Sequence, residues 1–203
     1  MSGQIVIGID NGLLGAVVAI NEDFHIMDYR DTPTVNLGKK GKVKNEFATA
    51  EMGKILREMI SLAIPDHHGR IGRHVMVWLE QAQAMPKQGL SSTFKTGRGF
   101  GLWEGICIGL GITYDIVHPA TWTKVVLRDV RAGDPKARSM TKCQRLYPDL
   151  PLTKPRGTVL SMDGRSDAAL IATYGMMTMT GRNLGAAHEQ PIEKRPPPKR
   201  TSH

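Results

Sequence analysis

The sequence predicts an α/β domain, a mixed five-stranded sheet flanked by helices. Three short apolar runs open the chain one after another, separated by turn residues, which suits an antiparallel meander. Two further β-branched runs, over residues 74–80 and 114–118, each follow a stretch with helical character, the alternation that builds parallel strands. Further helical segments close the chain after the last strand.

Taken in order, residues 4–10 carry IVIGI, apolar on both faces, and read as a central strand. Asn11-Gly12 makes a turn, residues 15–20 form a second strand, Asn21-Glu22-Asp23 breaks it, and residues 24–29 form a third. Residues 32–45 hold Pro33, Gly38, Gly41 and the lysines 39, 40, 42 and 44 without apolar periodicity, and are expected to be a mobile basic loop. Met52, Ile55, Leu56, Met59, Leu62 and Ala63 recur at spacings of one to four and predict a helix over 47–64, stopped by Pro65. The strand at 74–80 ends in Glu80. Residues 81–96 are polar and expected to form an exposed loop.

Glycines at 97, 99, 101, 105, 109 and 111 are poor helix formers, yet they let a helix approach a neighbour closely, so a tightly packed helix is expected there. After the strand at 114–118, Pro119 opens a helix as its first residue. Asp134-Pro135 opens another over 136–146, and 150–160 is a proline-rich loop. The last helix spans 163–179, and the basic, proline-rich residues 182–203 are expected to be a disordered tail. The expected division is a domain over 1–181 and a tail over 182–203. The order βββ-α-β-α-β-α-α is that of the ribonuclease H type.

Lys and Arg number 27 against 19 Asp and Glu, for a formal charge of +8, which points to a polyanionic partner, nucleic acid being the commonest. Two cysteines exclude a disulfide framework and a structural zinc site. No apolar run is long enough to span a membrane, and few residues precede the first strand, so a cytoplasmic protein without a signal or transit peptide is expected.

Four acids stand out. Asp10 ends an apolar strand, where an ionised carboxylate is costly unless paired or metal-bound; it equally suits capping of the Asn11-Gly12 turn. Glu80 repeats the placement, and taken alone it reads best as an exposed strand end. Asp163 and Asp167 stand four apart, on one helix face, where like charges repel; both also suit a helix N-terminus. Together the four form an all-oxygen set, which selects Mg²⁺ or Mn²⁺ over zinc. Two such ions about 4 Å apart can carry out phosphodiester hydrolysis. Divalent cations also reconcile acids facing a polyanion with a basic protein.

The segments GIDNGLLGAVVAI, VWLEQAQAMPKQG, FGLWEGICIGLG, HPATWTK and DGRSDAALIATYG, in this order, resemble the RuvC-type Holliday-junction resolvases, most closely the branch with phage-encoded and plant chloroplast members. The resemblance covers about residues 5–175. It implies a ribonuclease H fold, a homodimer, and Mg²⁺-dependent symmetric nicking of four-way DNA junctions, with Mn²⁺ as a substitute ion. It assigns Asp10, Glu80 and Asp167 to the family's acids, with Asp163 as the fourth; bacterial members often carry an acid or histidine three residues ahead of the last aspartate instead of four. Lys124 and Lys136 resemble family lysines near the DNA backbone. The aromatic that bacterial members carry three residues after the glutamate is replaced by Gln83. Lys87, Gln88, Lys95 and Arg98 are DNA-contact candidates by position.

The resulting expectation is a structure-selective endonuclease with Asp10, Glu80, Asp163 and Asp167 as catalytic, metal-holding groups and no membrane partner. The alternatives are a less selective flap or branched-DNA nuclease and a non-catalytic branched-DNA-binding module. A sugar-kinase-like or actin-like ATPase is disfavoured, because such folds need two related halves and a second phosphate loop.

Overall fold

The structure is a computed structural model and describes residues 4–39, 44–63, 75–84, 89–130, 134–152, 163–182 and 184. Strands β1 (Ile5–Ile9), β2 (Ala16–Asn21), β3 (Ile26–Asp31), β6 (Val75–Glu80) and β7 (Tyr114–Val117) form one sheet in the order β3-β2-β1-β6-β7. β1, β2 and β3 pair antiparallel, and β6 and β7 add in parallel on the other side of β1. Two short strands, β4 (Thr34–Asn36) and β5 (Asn45–Phe47), form a separate ribbon. The helices are α1 (Thr49–Ile60), α2 (Leu90–Gly109), α3 (Pro119–Val126), α4 (Pro135–Leu146) and α5 (Asp163–Thr180). The architecture is the expected ribonuclease H-like mixed sheet with flanking helices.

The central strand is buried on both faces, and the period of two decides what each face touches. Ile5, Ile7 and Ile9 point to the core shared with Met52, Leu56 and Met59 of α1 and Trp103 and Cys107 of α2. Val6 points to the opposite core, built from Ala168 to Ala172 and Met176 of α5, Trp122 of α3 and Cys143 of α4. Gly8 lies on that second face, where α5 crosses closest. A Cβ at Gly8 would stand 2.1 Å from the Ala168 carbonyl oxygen and 2.4 Å from the Ala172 nitrogen. The start of α5 is held equally close: Gly164 bridges Gly15, and a Cβ on Gly164 would meet the Leu14 carbonyl oxygen at 2.4 Å.

Several expectations need correction. The segment expected as a featureless loop over 32–45 contains β4 and the start of β5. The Asn36 side-chain oxygen accepts from the Gly38 and Lys44 N–H groups and closes the ribbon's turn side; residues 40–43 lie outside the described residues. The polar stretch expected as loop to residue 96 is already helical from Leu90, because Ser, Thr and Lys are acceptable helix residues once the following turns pack. The glycine-dense helix exists, but close packing explains only Gly99, whose Cβ would meet the Asn11 carbonyl oxygen at 2.4 Å and the Phe47 ring at 2.7 Å. Gly97, Gly101, Gly105 and Gly109, one per turn, face open space. The third strand begins two residues later than expected, at Ile26, because Phe24 takes a positive φ of 60° in the turn. Of residues 182–203, only Arg182 and Leu184 are described.

Candidate active site

The two parallel strands β1 and β6 run side by side, so their last residues deliver Asp10 and Glu80 to the same edge of the sheet. Asp10 is partly buried. Its Oδ1 accepts from the Gly12 N–H at 3.0 Å, so it does cap the turn, and its own N–H donates to the Ala16 carbonyl. Glu80 is held twice: Asn11 donates its side-chain N–H to the Glu80 carbonyl, and Trp122 donates its indole N–H to Glu80 Oε1 at 2.8 Å.

The acid pair on α5 reaches the same edge because glycine removes every Cβ in the way. Gly15 and Gly164 let the first turn of α5 sit on the β1–β2 turn, and Gly8 lets the next turns lie on β1. Asp163 and Asp167 are then drawn to the side of Asp10. Repulsion among the acids shows at Asp10, Asp167 and Glu80. Asp10 is pushed up to about 6, chiefly by burial, with Asp163 adding to the rise and the Gly12 N–H and Lys136 opposing it. Asp167 is pushed up to about 7 by burial and by Asp10, against a hydrogen bond from Ser139. Glu80 is pushed up to about 8 by burial and Asp10, against the Trp122 N–H. Asp10 is the link among them: Asp163 acts on it, and it acts on Asp167 and Glu80, across two strand ends and one helix.

A cation is already drawn into this field. Lys136, at the start of α4, places its ammonium 2.6 Å from Asp163 Oδ2. Sequence reasoning put Lys136 among the DNA contacts; the structure turns it toward the acids. Asp167 Oδ1 is buried and has no hydrogen-bond partner among the described residues. Unpartnered buried oxygen costs about 1–3 kcal/mol or more unless a cation or water meets it. As arranged, no three His, Cys, Asp or Glu side chains among the described residues stand together so as to hold a metal ion. The donor set nevertheless fits a hard divalent ion: carboxylate oxygen only, mutual repulsion to relieve, one oxygen unpartnered, and an ammonium standing where positive charge is wanted.

A basic, partly apolar groove of about 660 Å³ lies between the β4–β5 ribbon and the first turns of α2. Glu46, on β5, gathers three cations: Arg98 at 3.0 Å, Lys95 at 3.8 Å and Lys44 at 3.9 Å. Val35, Leu37 and Phe94 form its apolar lining, and Phe94 is 72% exposed. The groove is anchored to the acid edge through Gly99, which packs on Asn11 one turn along α2.

Of the expected DNA contacts, Lys95 and Arg98 thus lie together on this groove, Lys124 is exposed on α3, and Lys87 and Gln88 lie outside the described residues. Trp122 is a core residue, at 2% exposure, whose N–H goes to Glu80. Phe94 was hidden in a stretch taken for loop; an aromatic between Ser/Thr and Lys four residues before Arg98 was the available signal. Ser139 carried no sequence signal, since its role depends on how α4 docks on α5.

No protein-family model matches the chain, and no curated protein matches it in sequence. Among solved structures, the chain is similar to Thermus thermophilus RuvC in complex with Holliday junction substrate, at 16% identity and a TM-score of 0.47, over 88% of this chain and 96% of that one. It is also similar to a second Thermus thermophilus RuvC structure, at 15% identity and a TM-score of 0.43, over 93% of this chain and all of that one.

Proposed function

We propose that this chain is a structure-selective DNA endonuclease that resolves four-way junctions by phosphodiester hydrolysis, acting as a homodimer in the cytoplasm. The support for this reading is that Asp10 and Glu80 end the paired strands β1 and β6, and that Asp163 adds to the rise of Asp10 while Asp10 adds to those of Glu80 and Asp167. In this reading residues 1–181 form the nuclease domain and 182–203 a basic tail.

Two Mg²⁺ ions, or Mn²⁺ in their place, would supply an activated water and charge stabilisation for the leaving oxygen. The residues of the chain do the rest. Asp10, Glu80 and Asp167 present oxygens from rigid strands and a buried helix, so their spacing is fixed before substrate arrives. Asp163, at the first turn of α5, holds Lys136 at the rim, where the ammonium can pass to a phosphate oxygen. Lys95 and Arg98 line the groove along the β4–β5 ribbon and would neutralise backbone phosphates, so binding weakens steeply with salt. Shape selectivity follows from two-fold symmetry: two copies present two acid sites to two symmetry-related strands.

The test is cleavage of an end-labelled four-way junction in Mg²⁺ or EDTA, beside linear duplex and the Asp10→Asn variant. Paired symmetric nicks on the junction, lost in EDTA and in Asp10→Asn with binding retained, are expected. Nicking of flaps or forks at equal rate would favour a less selective nuclease. Tight junction binding without cleavage in either metal would favour a binding module.

A further inference from the structure

We infer that Trp122 is a positioning residue for Glu80: its indole N–H fixes one carboxylate oxygen and leaves the other turned to the cation site. This rests on the proposed reading of the acids as a cation-holding set.

The chain has three tryptophans, and their N–H groups are used differently. Those of Trp78 and Trp103 are buried without a hydrogen-bond partner among the described residues. Trp78 is held by shape alone, edge-on to Tyr174 with ring centroids 5.3 Å apart and against Gly175. The Trp122 N–H instead donates to Glu80 Oε1 at 2.8 Å, a charge-assisted geometry. The other Glu80 oxygen accepts no hydrogen bond among the described residues.

The path between the two residues is short and stiff. Glu80 pairs with Val117 in the parallel register of β6 and β7. The next residue, His118, caps α3 by accepting the Ala120 N–H on Nδ1 at 3.1 Å, and Pro119 sets the helix's first residue. Gln83, three residues beyond Glu80, contacts His118 Nε2 and ties the other end of the path. Trp122 follows one turn into α3, its ring sealed in the α5-side core. Strand register, cap and core packing thus all fix where this N–H points. A ring that only filled the core would need no donor aimed at the one acid on β6.

Groups that hold a metal ligand from behind are worth about 10–100-fold in metal affinity. The experiment titrates Mn²⁺ alone into the full chain by calorimetry, for wild type, Trp122→Phe and Glu80→Gln. It adds the Mg²⁺ concentration at half-maximal junction cleavage. The expected result is that Trp122→Phe still melts cooperatively but binds Mn²⁺ at least about 10-fold more weakly, and that it needs correspondingly more Mg²⁺, with rate recovering at high Mg²⁺. If Trp122→Phe fails to fold, benzothienylalanine at position 122 keeps the ring's shape and lacks only the N–H, and the same loss is expected. Wild-type Mn²⁺ affinity in the shape-preserving variant, with affinity lost in Glu80→Gln, would overturn the inference and leave the proposed function standing. No Mn²⁺ binding and no cleavage by wild type would overturn both.

Discussion

Replacing Gly8 with alanine puts a methyl group inside the backbone of α5. The new carbon would stand 2.1 Å from the Ala168 carbonyl oxygen, 2.4 Å from the Ala172 nitrogen and 3.0 Å from its Cα. No flexible side chain is there to yield, so α5 must back away from β1 by about 1 Å, and an overpacked core of this kind costs about 1–3 kcal/mol. For a chain of this length each kcal/mol lowers the melting temperature by about 2–4 °C, so a fall of about 2–12 °C is expected. The same movement carries Asp167, next to Ala168, away from Asp10. A misplacement of about 1 Å at a reacting centre costs on the order of 100-fold in rate. Junction cleavage well below the melting temperature should therefore drop far more than stability does. Gly97→Ala is the matched control: its Cβ meets nothing within 4 Å, and the same change in a helix should raise stability by about 0.8–1 kcal/mol. Thermal melts and urea titrations of both variants give the comparison. A Gly8→Ala protein as stable as wild type, or a Gly97→Ala protein destabilised to the same degree, would refute the argument that glycine sets the approach of α5.

Other outcomes can be stated briefly. Asp10, Asp167 and Glu80 titrate near 6, 7 and 8 in the folded chain, above their ordinary values, so the folded state holds protons that the unfolded state releases. Stability in EDTA should be full below about pH 4 and fall as pH rises toward 8; Mg²⁺ should restore it most at the alkaline end, and Glu80→Gln should raise the melting temperature in EDTA at pH 8. A melting temperature that climbs with pH in EDTA would contradict this. Arg165→Ala removes a bidentate pair with Asp31 at 2.6 and 2.8 Å and a hydrogen bond to the Pro151 carbonyl, and should cost about 1–3 kcal/mol by urea unfolding, since Asp31 is half exposed. Arg98→Ala should weaken junction binding and lower the slope of log affinity against log salt by about 1, read from gel shifts at several salt concentrations.

The strand meander, the two parallel strands and the acids at their ends were legible because burial imposes pattern: Ile5, Ile7 and Ile9 alternate with Val6 and Gly8, and a carboxylate breaks each run at its end. The pair Asp163 and Asp167 was legible from helical spacing. What brings them to Asp10 was not. Gly8, Gly15 and Gly164 look like ordinary turn and strand glycines, and only three-dimensional proximity shows that each replaces a backbone clash. The glycines of α2 misled in the opposite direction: their density suggested close packing, while all but Gly99 within the helix face solvent. The contacts of Lys136 with Asp163 and of Trp122 with Glu80 were not legible, because a side chain's direction depends on how α4 and α3 dock.

The open glycines of α2 have a consequence for how the molecule breathes. Four of them recur one per turn on a face with no neighbour, and each forgoes about 1 kcal/mol of helix propensity relative to alanine. Trp103 and Cys107 tie the middle of the helix to the core, but its first turns, with Leu90 and Phe94 outward, have no such tether. Amide protons there should exchange with solvent through local opening, well before those of β1 or α5. The wall that carries Phe94, Lys95 and Arg98 is thus the compliant one, while the acids sit on the part of the protein that opens last. In the proposed reading, a branched substrate would meet a yielding wall beside a fixed site.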